Sequence, residues 1–284
     1  MADFAVLKHP TQDGIHIAYR DYPAPYDGAP TALLMHGLTR NSRDFADLAA
    51  ALNATHRVLV PEQRGRGQSD WDDNPERYAI PNYVADMFSL LAGQQLNKVA
   101  VIGTSMGGLM AMVMHAMNPN IFSHVVMNDV GPVVDPVGIE RIKGYVGKAR
   151  SYDTWDDAIA HNQAINGVAF PELTDADWES FTRQLFIEVD GVITLDYDPA
   201  ISAALNQDEA SAVPPDLWPV FDLLASVPLL LIRGAISDLL STETADEMKR
   251  RHPSMEYLEV ASVGHAPMLK APDVIKTIGD FLGS

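Results

Sequence analysis

Three residues suited to acyl transfer stand far apart in the chain, in the order Ser105, Asp238 and His265. A serine hydroxyl is a weak nucleophile at neutral pH and needs a base to take its proton as it attacks. An imidazole, with an ordinary pKa near ~6.5, can accept and return that proton. A carboxylate on the second ring nitrogen fixes the tautomer and stabilises the imidazolium. The surroundings of Ser105 suit a nucleophile. It is the centre of the G-x-S-x-G run Gly103-Thr104-Ser105-Met106-Gly107, with apolar stretches at 98–102 before it and 109–117 after it. The first stretch reads as a strand buried on both faces. The second reads as a helix packed inside the protein, ended by Asn118-Pro119. So tight a turn forces its central residue into a strained backbone, and Gly103 and Gly107 leave room for strand and helix to approach. The serine oxygen then stands clear at a helix N-terminus, where backbone N–H groups favour developing negative charge.

The elements that must position these residues alternate along the chain. Residues 4–22 read as two antiparallel strands joined at Asp13-Gly14. Strands are predicted at 31–35, 57–61, 98–102, 124–129, 227–232 and 255–260. Helices are predicted at 43–52, capped by Asn41 or Ser42, and at 81–91, 109–117, 242–251 and 273–282. This order predicts an α/β fold, a mostly parallel central sheet flanked by helices. Ligands of such sheets bind at the carboxyl ends of the strands, where Ser105, Asp238 and His265 all fall. Asp129 also ends a strand. Residues 133–225 break the alternation. No clean buried strand is visible there, and helical stretches are suggested at 137–149, 154–166 and 175–186. The segment reads as a mostly helical cap inserted into a core made of residues 1–132 and 226–284, with Pro214-Pro215 leading out of it. Trp155, Phe170, Trp178, Phe181 and Phe186 could line an apolar pocket, although aromatic residues at helical spacing more often form the core of such a cap.

Composition removes several function classes. The chain of 284 residues has 38 Asp and Glu against 20 Lys and Arg, a formal net charge of -18. Neither a nucleic-acid partner nor an anionic membrane surface fits that balance. The one basic run, Lys249-Arg250-Arg251, lies late in a predicted helix, where cations complement the dipole. The absence of cysteine excludes disulfides, thiolate metal sites and cysteine nucleophiles. No apolar run approaches the ~20 residues that span a bilayer, and no secretory signal is visible, so a cytoplasmic location is expected.

Four further features accompany the G-x-S-x-G turn. They are His36-Gly37 after an early strand, Arg64-Gly65-Arg66-Gly67-Gln68-Ser69 after the next, Gly234 to Asp238 after the penultimate strand, and Gly264-His265 after the last. With them the chain resembles the α/β-hydrolase superfamily over essentially its whole length. The resemblance implies Ser105 as nucleophile, Asp238 as acid and His265 as base. It implies an oxyanion hole made by the backbone N–H groups of Leu38 and Met106, with the backbone of His36-Gly37 in support. Some members carry their acid at the earlier strand, which makes Asp129 the alternative; the Gly-x-x-x-Asp loop favours Asp238. Glu62 stands where many relatives have aspartate, and Glu62 and Arg64 read as structural. Haloalkane dehalogenases and epoxide hydrolases of the superfamily carry aspartate in place of Ser105, which excludes those activities.

The expectation is a serine hydrolase of small carboxylic esters, lactones included, that works through an acyl-enzyme and calls for no cofactor or metal. Two alternatives stay open. Members with the same residue types cleave carbon–carbon bonds in dienoates from aromatic-ring degradation, and such substrates would use cations such as Arg141, Lys143, Lys148 and Arg150. Other members bind a ligand with little or no turnover. Of the remaining histidines, His9, His16, His56, His124, His161 and His252 have no motif context, and His115 reads as a core residue.

Overall fold

A computed structural model describes residues 3–148, 150–203 and 216–283. The short apolar runs of the sequence become strands that are buried almost throughout, because helices cover both faces of the sheet they form. In chain order these elements are β1 (Ala5–Pro10), β2 (His16–Tyr22), β3 (Thr31–Met35), α1 (Ala46–Leu52), β4 (Arg57–Pro61), α2 (Ile80–Gly93), β5 (Val99–Thr104), α3 (Met106–Met117) and β6 (Phe122–Asn128). After the 133–225 segment come β10 (Leu229–Gly234), α8 (Thr242–Arg251), β11 (Glu256–Val260) and α9 (Pro272–Leu282). The eight strands lie in the order β1-β2-β4-β3-β5-β6-β10-β11. From β4 to β11 all pairs are parallel, and the β1–β2 hairpin adds an antiparallel edge. The sheet is thus mostly parallel and flanked by helices, as the alternation of the sequence implies.

The period-two direction of strand side chains splits the core in two. Leu33, Met35, Leu59, Val101, Val125, Met127, Leu229 and Leu231 pack on one face with α2, α3 and α8. Their neighbours Ala32, Leu34, Val58, Val60, Ala100, Ile102, Val126, Leu230 and Ile232 pack on the other with α1 and α9. Asn41 caps the first helical turn by accepting from the Arg43 N–H, so the 3-10 turn Ser42–Phe45 precedes α1.

The 133–225 segment differs from the sequence reading in two respects. It holds α4 (Pro136–Lys143), α5 (Trp155–Asn166), α6 (Asp175–Leu185) and α7 (Trp218–Asp222), but also a three-stranded antiparallel sheet. The strands are β7 (Ser151–Tyr152), β8 (Phe186–Val189) and β9 (Val192–Leu195), in the order β7-β9-β8. They are too short and too exposed to show a period. A local signal was nonetheless present: Asp190-Gly191 joins β8 to β9 with both residues at positive φ, 52° and 80°, the two-residue turn that this dipeptide favours. The first helix stops at Lys143, not near residue 149, with Gly144, still in the right-handed region, as its C-cap. Ala158, Ala169, Phe170, Trp178, Phe181, Leu185, Phe186 and Ile193 form an apolar cluster of the segment's own. Pro214-Pro215 lies outside the described residues. Among the described residues no helix is long and apolar enough to cross a membrane.

Candidate active site

Ser105 sits between β5 and α3 with φ 52° and ψ -115°, a left-handed conformation that costs a residue with a Cβ. The glycines beside it are required by space. A Cβ on Gly103 would meet the Gly107 carbonyl carbon at 2.5 Å, and one on Gly107 would run into the Met35 carbonyl oxygen. The turn is also tied to β6, since the Ser105 N–H donates to the Asn128 carbonyl at 3.0 Å. The Asn128 amide in turn donates to Thr104 Oγ1 at 3.1 Å and to the Pro267 carbonyl at 2.9 Å. One amide therefore links the elbow, the end of β6 and the loop that carries His265.

That loop leaves β11 and brings the imidazole back over the sheet. His265 Nε2 lies 2.8 Å from Ser105 Oγ, and Nδ1 lies 2.8 Å from Asp129 Oδ2. Asp129 is fully buried one residue beyond β6. Its carboxylate accepts from the Gly234 N–H at 2.8 Å and from the Ser237 hydroxyl at 2.6 Å, as well as facing the imidazole. A buried anion needs such donors. A carboxylate can only accept, so Nδ1 carries the ring hydrogen and Nε2 is free to take a proton from the hydroxyl.

The acid expected from the sequence, Asp238, is elsewhere. It lies four residues past the end of β10, on a loop that turns towards α4. Its two oxygens fork onto Arg141, Oδ2 at 2.5 Å from Nε and Oδ1 at 2.9 Å from Nη2. Burial opposes its ionisation, but the hydrogen bonds and charge of Arg141 hold its pKa below the ordinary carboxylate value. The side chain on His265 is Asp129, and the expectation for Asp238 is corrected accordingly. The reason is reach: Asp129 follows β6 with no slack, beside the strand that leads into Ser105, whereas the longer β10 loop carries Asp238 to a partner in the 133–225 segment.

The turn after β3 holds Leu38 beside Ser105 in one cavity. Here the His36 ring has a part that its sequence context did not reveal. Its Nδ1 donates to the Gly37 carbonyl at 2.7 Å, while Nε2 accepts from the Gln63 N–H at 3.0 Å. The Gly37 carbonyl belongs to the same peptide plane as the Leu38 N–H, so the ring fixes how that N–H points. Burial pushes the His36 pKa down to about 4, which keeps the ring neutral. Arg66, itself fully buried, donates from Nε to the Leu38 carbonyl at 2.8 Å and braces the next peptide. The Met106 N–H is the first of α3 and has no acceptor within its own helix. Glu62 accepts from the Ser42 hydroxyl at 2.7 Å and the Gln68 N–H at 2.7 Å, and Arg64 bonds Asp13, Asp72 and Asp86. Both hold loops together.

A cavity of about 240 Å³ opens over Ser105 and His265. Its far wall comes from the 133–225 segment and includes Tyr145, Tyr152, Phe170, Phe181 and Phe186. Phe170, Phe181 and Phe186 belong both to the wall and to the segment's apolar cluster. His161 lines the same wall, although nothing around it in the sequence marked it. His115 is buried and its Nε2 donates to the Leu223 carbonyl, 3.1 Å away, in keeping with a core residue.

Comparison with known proteins places the chain among relatives. A model of the alpha/beta hydrolase family matches residues 32–277. The chain is similar to the 3-hydroxybutyrate-oligomer hydrolase of Cupriavidus necator, with 35% identity over 277 residues, 94% of this chain and 93% of that protein. It is also similar to the 2-(acetamidomethylene)succinate hydrolase of Mesorhizobium japonicum, with 24% identity over 255 residues, 89% of this chain and 88% of that one. Among solved structures, an alpha/beta hydrolase from Novosphingobium aromaticivorans superposes with a TM-score of 0.94 at 39% identity, covering 100% of this chain and 99% of that one.

Proposed function

The chain belongs to the alpha/beta hydrolase family, and on that premise we propose that it hydrolyses carboxylic esters through an acyl-enzyme on Ser105. The observation that carries the proposal is the continuous relay from Ser105 Oγ through His265 to Asp129, with both hydrogen bonds at 2.8 Å. Ser105 Oγ attacks the ester carbonyl as His265 Nε2 takes its proton. Asp129, buried and already supplied with two other donors, stabilises the imidazolium. The N–H groups of Leu38 and Met106 hold the oxyanion, the first oriented through His36 and Arg66. The tetrahedral intermediate collapses as His265 gives its proton to the leaving alcohol. Water then attacks the acyl group with the same base, and the carboxylic acid departs. The 133–225 segment acts as the cap that encloses the acyl chain.

Oligomers of 3-hydroxybutyrate are joined by ester bonds, so the relative of that name supports short hydroxyacid oligoesters as substrates. A fluorophosphonate should label the folded protein at Ser105, and Ser105→Ala should abolish both labelling and hydrolysis of p-nitrophenyl butyrate. Folded protein that takes no label would refute the acyl-enzyme.

A further inference from the structure

Four cationic side chains line the cavity over Ser105: Arg40, Lys148, Arg150 and Lys270. Two of them are already neutralised. Arg40 pairs with Asp44 at 2.6 Å, and Lys270 pairs with Asp177 at 3.1 Å. Among the described residues no carboxylate lies within ion-pair reach of Lys148 or Arg150, both of them exposed, and the Lys148 ammonium donates to the Gly144 carbonyl. The chain carries 38 acidic side chains against 20 Lys and Arg, so two such cations on one cavity wall run against its general balance. The field of the whole molecule repels anions, but it is screened beyond ~8 Å at physiological salt. Asp44 and Asp47 also line the cavity, Asp44 paired with Arg40, so the lining is mixed in charge and cationic where Lys148 and Arg150 stand.

A second observation stands beside the first. The Tyr152 hydroxyl, on the same wall, is buried and receives no well-formed hydrogen bond among the described residues, while the Arg150 side chain lies near enough to act on it by charge and hydrogen bonding. A buried hydroxyl left unpaired is costly unless something else completes it. Burial raises its pKa, with the charge of Arg150 working the other way, so it stays a protonated donor. The His161 ring lies 5.4 Å from the Tyr152 ring and also faces the cavity. Burial and the Arg150 charge push its pKa down, so it adds a neutral ring to this wall.

We propose that Arg150, Lys148 and the Tyr152 hydroxyl form a subsite for a free carboxylate at the non-reacting end of the substrate. The two cations supply charge, and the hydroxyl supplies a directed hydrogen bond. The proposal rests on the ester-hydrolase reading of Ser105 and narrows it. The substrates it selects are short esters that end in an acid, with the scissile carbonyl over Ser105 and the acid end against the far wall. Neutral alkyl esters and acylglycerols leave the subsite empty.

The test compares a linear hydroxybutyrate dimer bearing its free carboxyl with the methyl ester of the same dimer. Calorimetric binding to Ser105→Ala protein, and kcat/KM on the parent enzyme, are measured for both. The free acid should be preferred by about tenfold to a hundredfold, the worth of a charge-assisted pair. Arg150→Gln should remove most of that preference, and Tyr152→Phe should reduce it about fivefold. The preference is a ratio of two ligands on one protein, so a partly unfolded preparation cancels from it. Equal affinity for acid and ester in the parent, or a preference that survives both substitutions, would overturn the subsite. Failure of the parent to take fluorophosphonate or cleave any ester defeats the acyl-enzyme reading instead, and the binding comparison still decides the subsite.

Discussion

Asp129 and Asp238 are chemically identical and differ only in what meets their oxygens. Asp129 faces an imidazole, a hydroxyl and a backbone N–H in a fully buried pocket. Asp238 faces the Arg141 guanidinium of the 133–225 segment. Asp129→Asn keeps the shape but puts an amide donor among donors and disfavours the tautomer that leaves Nε2 free. Turnover of p-nitrophenyl butyrate should fall by about 10³–10⁴. Asp238→Asn should cost less than about tenfold, since it touches neither ring nor nucleophile. Steady-state rates decide the matter, and the opposite order would return the acid to Asp238. Ser105 and His265 were legible because their glycine-flanked settings mark strand ends. The acid was not, because both candidates end strands and the choice depends on which loop bends towards β5. An aspartate directly after an apolar run has no room to wander, and that was the signal to weigh.

At the scale of the element, the turn from β3 to Leu38 depends on a ring that must stay neutral. His36 has a pKa of about 4 in the fold, against an ordinary value near ~6.5 in the unfolded chain. Between those values the unfolded chain binds a proton that the native state does not. Stability therefore rises with pH through this window and is lost as pH falls from about 6.5 towards 4, by roughly 2–3 kcal/mol from this group. Urea unfolding at about pH 4.5 and pH 7 should show a smaller difference in His36→Asn than in the parent. An unchanged difference would assign the acid sensitivity to other groups. The sequence located His36-Gly37 but gave its ring no part. The ring's second partner, the Gln63 N–H, leaves β4, and the pairing of β3 with β4 cannot be seen in a linear pattern. The β8–β9 hairpin was missed for a different reason: four-residue strands with exposed ends carry no period, and only Asp190-Gly191 spoke for it.

On the scale of the molecule, the 133–225 segment is fastened to the rest of the chain by a few polar clamps. Arg141 forks onto Asp238, and Arg43 pairs with Asp196 at 2.7 Å. Tyr78 donates to Asp198 at 2.6 Å, and the Gly264 N–H donates to the Ala169 carbonyl at 2.7 Å. The Arg141–Asp238 fork is partly exposed, so its worth is discounted for screening. A double-mutant cycle of Arg141→Ala and Asp238→Ala in urea unfolding should give a coupling of about 1 kcal/mol. A coupling near zero would show that the fork does not hold the segment in place. The core was legible as a whole because alternation of buried strand and helix is a long-range pattern. The seating of the segment was not, because it depends on single side-chain pairs between residues as distant as 141 and 238.

The left-handed backbone of Ser105 sets durability against chemistry. Glycine at this position would relieve the steric conflict, at some cost in chain freedom, and the net gain should be about 1 kcal/mol. Ser105→Gly should then melt about 2 °C above Ser105→Ala, which retains the Cβ, although neither can form an acyl-enzyme. A search for hardier versions of this protein by thermal selection alone would be drawn to silence it at the residue that gives it a use.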